Sequence, residues 1–188
     1  SRVLISCGRK SVIPSIALKK RFGKEIFNIH IQDPKVSLKH FDLVISPDHD
    51  GLIGENVINT KGAIHYLSKK DMQENQKYLQ IEKKQKKIVA FIIGGPNKHY
   101  VFSDIQIHSM FNKVKALFTP DKFKIIVVPS FRTPDEVIKK AFNTFNFNHH
   151  VIKSVDKKAY LCALSISDYI IVTCDSTSMI SEAALTGK

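Results

Sequence analysis

Residues 169–188 read YIIVTCDSTSMISEAALTGK. The run Tyr169-Ile170-Ile171-Val172-Thr173 has the continuous apolarity of a buried strand, and the carboxylate and hydroxyls from Asp175 to Ser178 end it. A helix opens there, with Ser178 or Ser176 as the residue whose hydroxyl can accept a first-turn N–H. The remaining free N–H groups and the positive dipole end of such a helix suit an anion. One turn further in, Glu182 is placed to reach a sugar hydroxyl beside that anion. A carboxylate next to a phosphate-binding helix start fits a nucleotide or nucleotide-sugar, and strand–turn–helix is the unit of an α/β fold.

The same unit repeats upstream. Ile88 to Ile93 is a buried strand broken by Gly94-Gly95-Pro96, and Ser103 with Gln106 forms a capping box. Ile107, Met110, Phe111, Val114 and Leu117 then recur at helical spacing. A strand over Lys124–Val128 precedes a second capping box, Thr133 to Glu136, with Pro134 at the first helical position. An Asn/Phe-rich loop from Asn143 to Asn148, a short strand at Val151–Ile152 and a helix over Lys157–Leu164 complete a βαβαβαβα series. That order predicts a doubly wound parallel sheet that takes its ligand at the carboxyl ends of its strands. The first half repeats the theme with strands at Val3–Ile5, Glu25–Ile31, Leu43–Ile45 and Val57–Asn59. Its helix runs over Val12–Arg21, with Ile13, Ile16, Ala17 and Lys20 on one face. Between them the chain turns polar and lysine-rich. The expected organisation is therefore an N-terminal Rossmann-like part over 1–67, a linker over 68–87 and a C-terminal Rossmann-like domain over 88–188.

Composition narrows the function class. The 188 residues are 43% hydrophobic, ordinary for a folded chain. No run approaches the roughly 20 apolar residues of a membrane span, and no signal peptide is visible. The chain enters a strand within three residues and stops where another strand is due. Both ends thus read as cut, and a longer protein is expected, cytoplasmic or peripheral at an inner membrane surface. The net charge of +12 comes mostly from lysine, in part from Lys83-Lys84 and Lys86-Lys87. Without aromatic-rich basic motifs this reads as biased composition, and nucleic acid is not expected as a partner. Three scattered cysteines, Cys7, Cys162 and Cys174, form no CxxC pair, so neither a disulfide framework nor a zinc site is indicated.

Three loops follow strands of the second half: GGPNKHY (94–100), PSFRTP (129–134) and CDSTS (174–178). Gly94 and Gly95 permit close backbone approach, and Lys98 and Arg132 offer charge for phosphate. The glycines match neither a Walker loop nor GxGxxG, and taken alone they read as a tight turn. In the first half SCGRK (6–10), IQDP (31–34) and PDHDGL (47–52) likewise follow strands. Asp48, His49 and Asp50 hold the groups of an acid/base or metal site, although Asp-His-Asp in a glycine turn is also ordinary turn chemistry. The other histidines, the adjacent His149-His150 among them, lack helical metal-ligand spacing and read as structural or solvated.

Taken in order, CGRKSVIPSIALKKRFG, IQDPKVSLKHFDLVISPDHDGLIGENVINTKGAIH, IIGGPNKHYVF, SFRTP and VTCDSTSMISEAALTGK resemble the family named for plant elongated-mitochondria fission proteins. That family is similar to GT-B glycosyltransferases, whose C-terminal half usually holds the nucleotide-sugar and whose N-terminal half usually receives the acceptor. The resemblance implies Gly94, Gly95, Asn97 and Lys98 near a diphosphate, with Arg132, Asp175, Ser176, Ser178 and Met179 beside them and Glu182 on ribose or sugar. It implies Gly8, Arg9, Gln32 and Asp33 on the acceptor side, with His49 or Asp50 as catalytic base. Phe131 stands where the family often has a polar or basic residue. The implied activity is sugar transfer from a nucleotide-sugar, taken as UDP-type, with no obligatory metal and an acceptor at an envelope or membrane surface. The rival expectation is a non-catalytic interaction protein, since plant members are associated with recruiting a dynamin-type fission machine.

Overall fold

A computed structural model of the chain describes residues 2–82 and 85–188, so Lys83 and Lys84 of the lysine-rich stretch lie outside the described residues. The chain divides into two compact units, Ser1–Ile64 and His65–Lys188.

The first unit contains β1 (Arg2–Cys7), α1 (Arg9–Phe22), β2 (Ile26–Ile31), β3 (Leu43–Pro47) and β4 (Val57–Thr60). The strands lie side by side in the order β1-β2-β3-β4, all parallel. Each expected strand is present, but α1 is rotated from its expected face. Val12 and Ser15 are buried, whereas Ile13 is 69% exposed. The surface beneath α1 is largely polar, with Ser6, Asn28, His30 and Ser46 all buried. Asn28 Nδ2 reaches Ser15 Oγ at 3.4 Å, and Lys19 Nζ donates to Asp42 at 2.7 Å and to the Ile26 carbonyl at 2.6 Å. A helix face chosen by apolar residues alone misses that match. On the opposite side of the sheet Val3, Ile5, Phe27 and Ile58 remain 45–63% exposed.

The second unit holds α2 (Lys69–Asn75), β5 (Lys87–Ile93), α3 (Asp104–Leu117), β6 (Phe123–Pro129), α4 (Asp135–Phe145), β7 (His150–Val151), α5 (Lys157–Ile166), β8 (Tyr169–Val172) and α6 (Thr177–Ala184). Its parallel strands run β7-β6-β5-β8, so the order reverses at β5, as in a doubly wound sheet. Both faces of β5 are covered, which accounts for its uninterrupted apolar run. Val89, Phe91 and Ile93 pack with Ile107, Phe111, Val137 and Phe145 on one side. Ile88 and Ala90 pack with Ile126, Ile152, Ala159 and Ala163 on the other.

Four local expectations change. Leu117, the last residue of α3, is 71% exposed. The capping box at Thr133 does not form: Pro134 is the N-cap of α4, with no side-chain cap bond. The buried Thr133 hydroxyl instead lies within donating distance of the carbonyls of Ile93 and Gly94, at 2.7 and 2.8 Å, where the end of β5 leaves acceptors to be satisfied. Asn143 to Phe145 finish α4, and Phe145 is 1% exposed in an aromatic cluster with Phe91 and Phe111. The stretch expected as a linker carries α2. Ser68 and Asp71 cap it reciprocally, and Leu67 and Met72 are buried with Leu161 and Leu164 of α5. That packing places the unit boundary after Ile64 rather than within 68–87.

Candidate functional site

The loops after β5, β6 and β8 converge on one carboxylate. Asp175 has 1% side-chain exposure; its Oδ2 accepts from the Gly95 N–H at 3.1 Å and from Arg132 at 2.7 Å, and its Oδ1 accepts from the Thr173 hydroxyl at 2.5 Å. Its backbone carbonyl accepts from Asn97 Nδ2 at 3.1 Å and from Arg132 at 3.2 Å. Thr173 Oγ1 also accepts from the Gly94 N–H at 2.7 Å. The two glycines are required by this junction. A Cβ on Gly94 would lie 2.1 Å from Asp175 Oδ2, and one on Gly95 would lie 1.8 Å from the Arg132 carbonyl oxygen. Gly94, Gly95, Asn97 and Asp175 therefore stitch three loops together. Lys98 is exposed beside them.

Next to the junction lies a cavity of about 430 Å³, walled by Ile92, Pro129, Met179 and Phe131 and lined on its polar side by Arg132, Ser176, Tyr160 and Glu182. Helix α6 opens towards it. Ser176, not Ser178, is the cap, its hydroxyl accepting from the Met179 N–H at 3.5 Å. Ser178 is exposed on the first turn. Tyr160 of α5, unremarked in the sequence reading, donates its phenol to Glu182 Oε2 at 2.7 Å. Burial, reinforced by the hydrogen bond and charge of Glu182, holds this phenol well above its ordinary pKa and keeps it a donor. Lys157 lies over the Tyr66 ring at 4.6 Å, and both residues line the cavity. Phe131 is 93% exposed, so the departure at this position puts an apolar ring at the rim. Of the expected donor residues, the cavity gathers Arg132, Ser176, Met179 and Glu182; Gly94, Gly95, Asn97, Lys98, Asp175 and Ser178 are not in its lining.

In the first unit Gly8, at φ 76, donates to the Ile31 carbonyl at 3.2 Å, and Gln32, at φ 82, donates to that of Ile45 at 2.8 Å. Arg9 begins α1, exposed. Asp33 pairs with Lys35 at 2.6 Å. Burial would raise the Asp33 carboxyl, but the hydrogen bonds from Lys35 and the charges of Lys35 and Arg9 outweigh it and hold it low. His49 and Asp50 occupy a 3-10 turn after β3. His49 Nε2 is 3.8 Å from Asp50 Oδ1, and Ser46 donates to Asp50 Oδ2 at 2.9 Å. His30, one of the histidines expected to be structural or solvated, is fully buried, pairs through Nδ1 with Ser6 Oγ at 2.8 Å and packs against Phe41. The signal was present: in IFNIHI, Asn28 and His30 alternate with apolar residues and so share a face.

A family model described as "Mitochondrial fission ELM1" matches residues 1–188. Two curated relatives align over 99% of the chain: the mitochondrial fission protein ELM1 of Arabidopsis thaliana, 24% identical, and an uncharacterized protein of Rickettsia prowazekii, 27% identical. The chain spans 50% and 62% of their respective lengths. Among solved structures, UDP-GlcNAc 2-epimerase from Neisseria meningitidis, bound to UDP-GlcNAc, aligns over 99% of this chain and 57% of its own, with TM-score 0.59 and 14% identity. The Methanocaldococcus jannaschii UDP-GlcNAc 2-epimerase aligns over 98% and 58%, with TM-score 0.57 and 13% identity. At such identities the likeness shows the fold: two Rossmann-like α/β halves of the GT-B type.

Proposed function

This chain belongs to the mitochondrial fission ELM1 family, and on that premise we propose that it binds a nucleotide-sugar, UDP-type, in the cavity of its second unit. The observation that carries the reading is the Glu182 carboxylate, held by Tyr160 inside a cavity that the capped start of α6 also faces. A volume of about 430 Å³ falls within the ordinary range for small-molecule sites. Its apolar walls suit a base, Glu182 suits a sugar hydroxyl, and Arg132 with the α6 start suits a diphosphate. The further part of the proposal is transfer of the sugar to an acceptor by direct displacement. Lys98, Arg132 and the helix start would stabilise the leaving diphosphate, while the acceptor's proton passes to a base.

A second reading is a non-catalytic interaction protein on the same fold. What favours it is the junction: Asp175 already satisfies Gly95 and Arg132 internally. Thermal unfolding with a panel of nucleoside diphosphates and nucleotide-sugars separates the readings. A ligand at about 100 times its dissociation constant stabilises a fold by roughly 2.7 kcal/mol. We expect that shift with UDP or a UDP-sugar and its loss in Glu182→Ala. No shift in a well-folded sample would leave the interaction protein as the better reading, and a shift without release of UDP from the sugar would mark a binding protein without turnover.

A further inference from the structure

We infer that Tyr160 is a positioning residue for the ligand site, orienting Glu182 so that one carboxylate oxygen is committed to the protein and the other is offered to a ribose hydroxyl. The inference rests on the nucleotide reading above and adds to it a residue and a selectivity. Tyr160 sits on α5, its ring packed against both the cluster of Ile88, Ala90 and Ile126 and that of Leu67, Leu161 and Leu164. A phenol fixed in this way has one proton to give, and it goes to Glu182 Oε2 at 2.7 Å. Glu182 Oε1 has no protein partner among the described residues. A glutamate on a helix surface otherwise samples many rotamers, and ordering them on binding weakens affinity. The Tyr160 bond settles the rotamer beforehand, so the acceptor oxygen is in place before a ligand arrives. Because the phenol oxygen keeps lone pairs, it can itself accept from a neighbouring hydroxyl. A site built around a fixed hydroxyl acceptor rejects the analogue that lacks the hydroxyl.

The test compares dissociation constants for UDP, 2′-deoxy-UDP and 3′-deoxy-UDP in the wild type, Tyr160→Phe, Glu182→Ala and the double variant. The wild type should prefer UDP over at least one deoxy analogue by about tenfold or more. Tyr160→Phe should bring that ratio down several-fold, and adding it to Glu182→Ala should change the ratio no further. A merely structural tyrosine would lower the melting temperature and leave the ratio where it was. A wild type that binds UDP but keeps the same ratio in Tyr160→Phe, or shows no preference at all, overturns the role of Tyr160 and leaves the nucleotide reading standing. A wild type that binds none of the three overturns both. If Tyr160→Phe fails to fold, the Glu182→Gln variant decides: an unchanged ratio there sinks the inference, and a reduced one supports it.

Discussion

Asp175 concentrates the physics of the second unit at the scale of one residue. A carboxylate this buried is tolerated only because Arg132, the Gly95 N–H and Thr173 all point at it. Asp175→Ala should cost about 3 kcal/mol in urea unfolding, near the lower end for a broken buried pair because Arg132 can still reach water. Gly95→Ala should cost about as much by a different route, since its methyl meets a backbone carbonyl that cannot step aside. Only part of this was legible beforehand. GGP after a strand announces close approach, but what approaches is the Asp175–Arg132 junction, more than 30 residues away in sequence in either case. Glu182 was legible as a helix residue one turn from a cap. Its partner Tyr160 was not, because no local pattern relates α5 to α6.

At the scale of elements, local rules succeeded where the chain solves its problem locally. Ser68 with Asp71 and Ser103 with Gln106 form reciprocal caps, and Asp156 caps α5 by accepting from Lys158 and Ala159. They failed where a distant group competes, as when the strand-end carbonyls claim Thr133. The entry to β7 shows the same distant coupling in its titration. His149 Nδ1 accepts from the Ile125 N–H at 3.2 Å, and burial, then Lys124, Lys86 and Lys115, push its pKa down to about 4. The folded state therefore refuses a proton that the unfolded chain accepts below about 6.5. The stabilisation from neutral His149 is complete above that pH and is lost as pH falls towards 4. With His149 only half-buried, a loss of about 1–2 kcal/mol is expected between pH 7 and pH 4.5 in urea titrations. His149→Gln should flatten the decline without abolishing it, because His30 and His150 are also lowered by burial and act in the same window.

For the whole molecule, each unit carries its own core, with Val44 fully buried in the first and the β5–β6 strands in the second. Val44→Ala should cost about 1–3 kcal/mol in the first unit. Because every residue lining the cavity belongs to the second unit, the UDP dissociation constant should be unmoved, and calorimetry with and without nucleotide reads both effects. Among the described residues no helix is long and apolar enough to cross a membrane.

The sequence by itself determined the strands, the parallel α/β class of both halves and the hydroxyl-capped start of α6, because apolar runs, alternation and hydroxyl caps are satisfied within a few residues. Only the tertiary structure decided that α2 belongs to the second unit, that α1 turns its Ser15 face to a polar sheet surface, and that Tyr160 holds Glu182. Each of these depends on matching groups far apart in the chain. A buried polar or charged group must find its partner wherever the fold puts one, and sequence spacing does not encode that distance.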